Sequence, residues 1–308
     1  MIVLKNLRTY LDIISRELFK FNTLKNKVFD KNETVFYDYW FQNSTLALSL
    51  LKYKGYIYSF VSRGHGYDIY DERMPSTGIR FRKWIIKQVD KVFIISNFGA
   101  NYFRSKISKE FQEKIIVSRL GVYDPMLEHV AIDNEVITVV SCSSLLPFKR
   151  VEKIPMLLSN FSCKIHWIHF GDGITKEEVL KNCLKLPENV TFVLKGHVDN
   201  KEILTFYKLN TVDLLISLST SEGIPVSMME AISYGIPVFA VNVGGVSEIV
   251  IDNKTGKLVP EEYDDSKLFK ALQSTILTNF DRKEIRRFFK EKYNARNNYK
   301  GFIEQICY

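Results

Sequence analysis

Apolar positions along this chain change period many times, and the changes read as alternating helices and strands. Over residues 1–30, Leu4, Leu7, Leu11, Ile14, Leu18 and Phe21 recur three or four apart among Lys, Arg and Asn, which predicts an amphipathic helix. It can pack on a core or lie on a membrane surface; a single stripe with mixed charges favours packing. Short apolar runs then alternate with helical patterns. Strands are predicted over Thr34–Tyr39, Ile57–Ser62, Lys91–Ser96 and Lys114–Ser118, with helices over Ser44–Tyr53, Ile79–Val89 and Asn97–Lys106. Residues 123–134, with Pro125 and little periodicity, read as a linker beside a cleft.

A second alternation follows. Strands are expected over Val136–Cys142, Lys164–Phe170, Val190–Lys195, Leu214–Leu218 and Val238–Val241. Helices are expected over Val151–Ser159, Thr175–Leu184, Asn200–Leu209, Ser266–Leu277, Arg282–Tyr293 and Ala295–Ile306, and a turn around Gly256. This is the layout of a doubly wound nucleotide-binding domain. Gly171-Asp172-Gly173 is not a dinucleotide fingerprint, because Lys176 stands where the third glycine belongs, and no phosphate-loop G-x4-G-K-[ST] occurs.

Candidate chemistry concentrates in residues 217–248. After the strand at Leu214, Glu222 and Gly223 lead to Pro225, where a helix should begin and run for about three turns, with Val226, Met229 and Ile232 or Ser233 facing inward. Free N–H groups at such a helix start bind anions. A carboxylate beside a bound phosphate is repelled by it, so Glu222 suits sugar hydroxyls or a developing cation, and Glu230 can accept bonds from a vicinal diol. By spacing alone the simpler reading is a capping Glu222 and a solvated Glu230. A second place is SRGHGYDIYDER, residues 62–73, where His65 lies in a turn after a strand.

The string E-G-I-P-V-S-x-x-E-A from Glu222, followed by G-I-P-V and by V-G-G-x-x-E ending at Glu248, resembles the E-x7-E signature of retaining glycosyltransferases of family 4. The segment Arg63-Gly-His65-Gly-Tyr-Asp68 resembles their R-x-H-G-x-D segment, and SCSSLLPFKR resembles their G-R-L-x-x-x-K-G loop, with Lys149 on the lysine, Ser144 on the arginine and Arg150 on the glycine. The resemblance implies the α/β GT-B fold, two Rossmann-like domains facing across a cleft. It divides the chain into an acceptor-side domain over residues 1–125, a nucleotide-sugar domain over 126–292 and a helix over 293–308 crossing back. Family members open with a strand and a glycine-rich turn, whereas this chain opens with a helix, so the N-terminal domain is expected to be shortened by about two strand–helix units; the tail ARNNYKGFIEQI implies a complete C-terminal end.

The resemblance also implies roles. Glu222 and His65 would be catalytic; Lys149, Arg150, Gly196, His197, Gly223, Ile224, Pro225, Val226, Ser227 and Glu230 would bind the donor, with Gly196-His197 reading the base; Arg63 and Asp68 would border the cleft. The activity implied is retaining, metal-independent transfer of a sugar from a UDP- or GDP-linked donor to a lipid-linked or growing saccharide, in capsule, O-antigen or exopolysaccharide synthesis. No cofactor is implied beyond that substrate, and the absence of a D-x-D sequence fits metal independence. The alternative is a truncated, catalytically weak protein that binds a nucleotide sugar or a partner.

Composition adds little to this except through charge. Of 308 residues, 46% are hydrophobic and 25% charged, a globular balance, and no apolar run approaches the ~18 residues of a membrane span. Cys142, Cys163, Cys183 and Cys307 lack paired spacing, arguing against a zinc site or disulfide framework and for a cytoplasmic chain. The net charge of +8 is uneven: residues 1–130 carry 21 Lys and Arg against 13 Asp and Glu, while the remainder carries 22 of each. A basic first half suits an anionic membrane surface or a pyrophosphate-linked acceptor, or is simply solubilising. No nucleic-acid-binding motif accompanies it.

Overall fold

The computed structural model describes residues 2–27, 30, 32–42, 44–73, 81–126 and 135–306. The first residues of the predicted Ile79 helix, most of the predicted linker, and Cys307 lie outside them. The chain divides into two units, one of Met1–Arg119 with Tyr299–Tyr308, the other of Leu120–Asn298.

In the first unit, α1 (Ile2–Lys25) precedes β1 (Val35–Asp38), α2 (Ser44–Tyr53), β2 (Ser59–Gly64), α3 (Arg82–Gln88), β3 (Lys91–Ile94), α4 (Asn97–Ser105) and β4 (Ile115–Val117). The four strands form a parallel sheet in sequential order. Parallel strands are covered on both faces, so their sequences read as apolar runs rather than alternations. One face packs Phe60, Val92 and Ile94 against Leu51, Ile85, Ile86 and Phe103, with Phe21 and Leu24 of α1 joining from the edge. The opposite face carries Val61 and Phe93, covered by Phe302. Phe302 belongs to α11 (Ala295–Ile306), whose residues from Tyr299 onward count with this unit. The predicted α1 stripe is corrected: of its described members Phe21 packs on this core, joined by Leu24, whereas Ile14 and Leu18 are exposed and Ile13 is buried in their place.

The second unit contains β5 (Ile137–Cys142), α5 (Lys153–Leu158), β6 (Ile165–Phe170), α6 (Lys176–Cys183), β7 (Val190–Leu194), α7 (Asn200–Leu209), β8 (Leu214–Ser217), α8 (Val226–Ser233), β9 (Val238–Val241), β10 (Gly256–Val259), α9 (Asp265–Leu277) and α10 (Arg282–Lys292). Its six parallel strands run in the order β10-β9-β8-β5-β6-β7. The direction of winding reverses at β5, which pairs with β6 on one side and β8 on the other. Loops leaving the carboxyl ends of two such neighbours diverge and leave a crevice, the place where open α/β sheets hold ligands.

Four local expectations are corrected. The second strand runs to Gly64 instead of ending at Ser62, so Gly64 pairs with β3 and does not belong to the turn at His65. The predicted turn at Gly256 starts an edge strand, because the chain returns there beside β9; a side chain at Gly256, φ 155°, would sit 1.8 Å from the Val238 carbonyl oxygen. Helix α8 has eight residues, nearer two turns than three, and Pro225 is its N-cap with extended ψ. Val226 does not face inward: it is 44% exposed, while every residue from Met228 to Ser233 is buried. A helix enclosed from its third residue onward has no single inner stripe to which periodicity could assign Val226.

Candidate active site

In the second unit the β5 and β8 loops meet at the reversal point. After Cys142, the Ser143 amide donates to the Phe170 carbonyl and the Leu145 amide to the Asp172 carbonyl, pinning this loop to the one that leaves β6. It then turns through Pro147–Lys149 and Arg150, whose φ of 51° is left-handed. The family loop that this segment resembles has glycine there, and the backbone keeps the glycine-like conformation under an arginine side chain. The Arg150 guanidinium donates to the Tyr263 hydroxyl at 3.3 Å.

The β8 loop docks on this turn. The Thr220 amide donates to the Phe148 carbonyl at 2.8 Å, and Lys149 Nζ donates to Glu222 Oε1 at 2.5 Å. Both side chains are largely buried. The Glu222–Gly223 backbone is buttressed from behind: the Gly245 amide donates to the Gly223 carbonyl, and a Cβ at Gly244, φ 55°, would stand 1.9 Å from the Glu222 carbonyl oxygen. Ile224 and Pro225 bury their side chains. The first amides of α8, at Val226 and Ser227, have no intrahelical acceptor and mark the positive end of the helix.

Glu230 lies on the same helix, 7% exposed, and accepts a 2.7 Å bond from Asn200 Nδ2 at the start of α7. Burial raises its pKa, and the Asn200 bond offsets part of the rise. Its surroundings are protonated groups: burial, assisted by Glu230, pushes the Cys142 thiol up to about 12, and the fully enclosed Tyr207 hydroxyl is raised by burial as well. Gly196 accepts from the Gly171 amide, whereas His197 is exposed. The solvated reading of Glu230 is therefore wrong for this chain.

In the first unit, His65 follows β2. Asp68, fully buried, accepts from the His65 amide at 2.6 Å and from the Phe41 amide at 3.1 Å, and its Oδ2 lies 3.4 Å from His65 Nδ1. The carboxylate thus holds the ring in place, and His65 Nε2 is buried with no hydrogen-bond partner among the described residues. Tyr39 and Trp40, from the β1 loop, lie against the ring at centroid distances of 4.7 and 4.3 Å. Arg63 is corrected: its side chain is enclosed within the first unit. It is fully buried, donating to the Tyr37 hydroxyl and to the Ser118 carbonyl and hydroxyl, with its guanidinium 4.2 Å from the Phe302 ring centroid. Asp68 is corrected likewise, since full burial leaves it to position His65 and the β1 loop.

Sequence reasoning missed Asn200, Tyr263, Tyr39 and Trp40. The helix start at Asn200 was visible, but its pairing with Glu230 depends on strand order.

Residues 128–294 match the family described as Glycosyl transferases group 1. The O-antigen biosynthesis glycosyltransferase WbnH of Escherichia coli is 31% identical over 163 residues, which cover 50% of this chain and 45% of WbnH. The chain thus spans about half the length of the curated relatives it matches. Among solved structures, the lipopolysaccharide outer core galactosyltransferase WaaB superposes with a TM-score of 0.75 at 18% identity, covering 96% of this chain and 81% of WaaB. The Anabaena protein HepE, in complex with UDP and glucose, gives 0.67 at 16% identity, covering 86% and 76%. At these identities the likeness is one of fold: α/β, with two parallel-sheet units of the GT-B type.

Proposed function

Because this chain belongs to the glycosyl transferases group 1 family, we propose that it moves a sugar from a UDP- or GDP-linked donor to a lipid-linked or growing saccharide, with retention and without a metal ion, in surface-polysaccharide synthesis. Work at the inner face of the cell membrane suits the basic first half of the sequence and a lipid-linked acceptor. No helix among the described residues is long and apolar enough to cross a membrane. The O-antigen assignment of WbnH supports the pathway class, and the UDP and glucose in HepE support the donor class.

The observation that carries the reading is the Lys149–Glu222 contact at the start of α8. Transfer breaks the bond from the anomeric carbon to the phosphate oxygen, the electron pair leaving with the diphosphate, and forms a bond from that carbon to an acceptor hydroxyl. The acceptor proton passes to the departing phosphate oxygen. Lys149 and the Val226 and Ser227 amides would stabilise the charge that develops on the diphosphate. Glu222 would order the sugar hydroxyls and face the cationic centre. Glu230 would receive the ribose hydroxyls, whose donors replace the water lost on burial. His65, held by Asp68, would serve the sugar, Arg150 would add positive charge, and Gly196 with His197 would meet the base.

A ligand-observed NMR screen of UDP and GDP sugars tests the donor class. With the donor known, Glu222→Ala should lose transfer while nucleotide affinity by calorimetry persists. Unchanged transfer would remove Glu222 from the mechanism, and binding of no nucleotide would leave the partner-binding alternative.

A further inference from the structure

Asn200 makes a contact that its place in the helix does not require. It is the first residue of α7, one position past the N-cap Asp199, and asparagine is favoured at the cap but poor within a helix. Its side chain makes no capping bond; Nδ2 instead donates to Glu230 Oε1 of α8 at 2.7 Å. Asn200 is exposed whereas Glu230 is buried, so the bond adds little packing and acts on the carboxylate. Around Glu230 stand the Cys142 thiol and the Tyr207 and Tyr234 hydroxyls, whose pKa values are raised by burial and further by its charge. Among the described residues no cation pairs with Glu230, and Asn200 is the one donor to its side chain. The second oxygen, Oε2, accepts from none of these residues yet is not sealed from solvent. One oxygen is thus pinned and the other presented.

A glutamate side chain turns about several bonds, and a donor from a neighbouring helix fixes which way its carboxylate faces. Burial raises the Glu230 pKa and the same donor lowers it, which favours the ionised form, the stronger acceptor of hydroxyl protons. We propose that Asn200 is a positioning residue of the nucleotide site, holding Glu230 so that Oε2 meets the ribose of the nucleotide sugar, and that it thereby sets the preference for ribonucleotides over their deoxy forms. A site built to bond a hydroxyl rejects the analogue that lacks it, because the buried group is then left unpaired. Asn200 acts in this way only if Glu230 meets the ribose, the role given to it above.

Calorimetric titration of the full chain with UDP, GDP and their 2′-deoxy and 3′-deoxy forms tests this. Wild type is expected to bind one of the two ribonucleotides about tenfold or more tightly than a deoxy form of it. Asn200→Ala should bind that ribonucleotide about fivefold or more weakly than wild type, and Asn200→Asp, the same size without the donor, at least as weakly as Asn200→Ala. Both variants should hold the deoxy form within about twofold of wild type, which also reports that they fold. In a Glu230→Ala background, Asn200→Ala should change ribonucleotide affinity less than about twofold. Wild-type discrimination in both Asn200 variants, an equal loss for ribo and deoxy forms, or an undiminished loss in the Glu230→Ala background overturns the positioning role and leaves Asn200 a contact between helices. A wild type that binds ribo and deoxy forms equally takes the ribose away from Glu230 and overturns the proposal with it; one that binds neither nucleotide overturns the donor reading as well.

Discussion

Lys149 and Glu222, 73 positions apart in sequence, are joined by a 2.5 Å hydrogen bond between the loops that leave neighbouring strands β5 and β8. With side-chain exposures of 17 and 11%, neither group has much water to fall back on. Removing one partner leaves the other largely desolvated and uncompensated, which costs more than the pair contributes. Lys149→Met and Glu222→Gln should each destabilise the protein by roughly 1–3 kcal/mol, and the double variant by less than their sum, with a coupling of about 1–2 kcal/mol. Urea unfolding of the four proteins measures this, and additivity would mean that the contact does not persist in solution.

Gly244 supports the same loop through close backbone approach. A methyl group there would collide with the Glu222 carbonyl oxygen at 1.9 Å on a backbone with φ 55°. The chain can relieve the clash only by moving the Glu222–Gly223 turn or leaving the left-handed region. Gly244→Ala should therefore cost about 1–3 kcal/mol of stability and reduce transfer at least a hundredfold, the loss expected when a catalytic group is displaced by about an ångström. Transfer assays at a temperature where the variant is fully folded separate the two effects; a folded variant with normal transfer would show that the turn tolerates movement.

Much of this architecture is written locally. The helices Ser44–Tyr53, Asn200–Leu209 and Ala295–Ile306 and the strand Val238–Val241 lie where apolar period and flanking residues put them. The Glu222 loop was legible because strand, polar turn, proline and glycine stop follow one another without interruption. What could not be read depends on which strands are neighbours. The order β8-β5-β6 brings Lys149 to Glu222, and the folding of α7 against α8 brings Asn200 to Glu230. Arg63 misled for a related reason: beside His65 in sequence, it projects from β2 into Tyr37, Ser118 and Phe302, partners contributed by three other segments.

Glu230 exchanges stability for a ligand group. Burial raises its pKa above the ordinary carboxylate value, so the folded state holds this proton more tightly than the unfolded chain does. With more protons bound to the native state, stability falls as pH rises from the unfolded value through the raised one, then stays lower. Glu230→Gln keeps an oxygen for Asn200 and removes the titration. It should stabilise the free protein on the order of 1 kcal/mol at neutral pH with no gain in acid below the carboxylate range, while weakening nucleotide binding about tenfold. Thermal melts at several pH values and calorimetry test both halves. Equal stability at neutral pH would contradict the burial cost, and equal affinity would remove Glu230 from the nucleotide site.

His169 shifts in the opposite sense. The Trp167 indole donates to Ser141 Oγ at 3.0 Å, and the same oxygen is hydrogen-bonded to His169 Nδ1 at 2.8 Å. Fully buried, the ring has its pKa lowered by desolvation from 6.5 to about 4. Above pH 6.5 both states are neutral and the residue adds no pH dependence. Between about 6.5 and 4 the unfolded chain takes up the proton and the folded one does not, so stability falls with falling pH, by roughly 3 kcal/mol in all. His169→Asn can still accept from Ser141 but cannot titrate. It should be less stable than wild type at pH 7.5 by about 1–2 kcal/mol because of the smaller side chain. Its stability should also fall less steeply between pH 6.5 and 4, so that the two curves converge or cross in acid. Urea unfolding of both proteins across that range decides it: parallel curves would mean that His169 is protonated in the folded state.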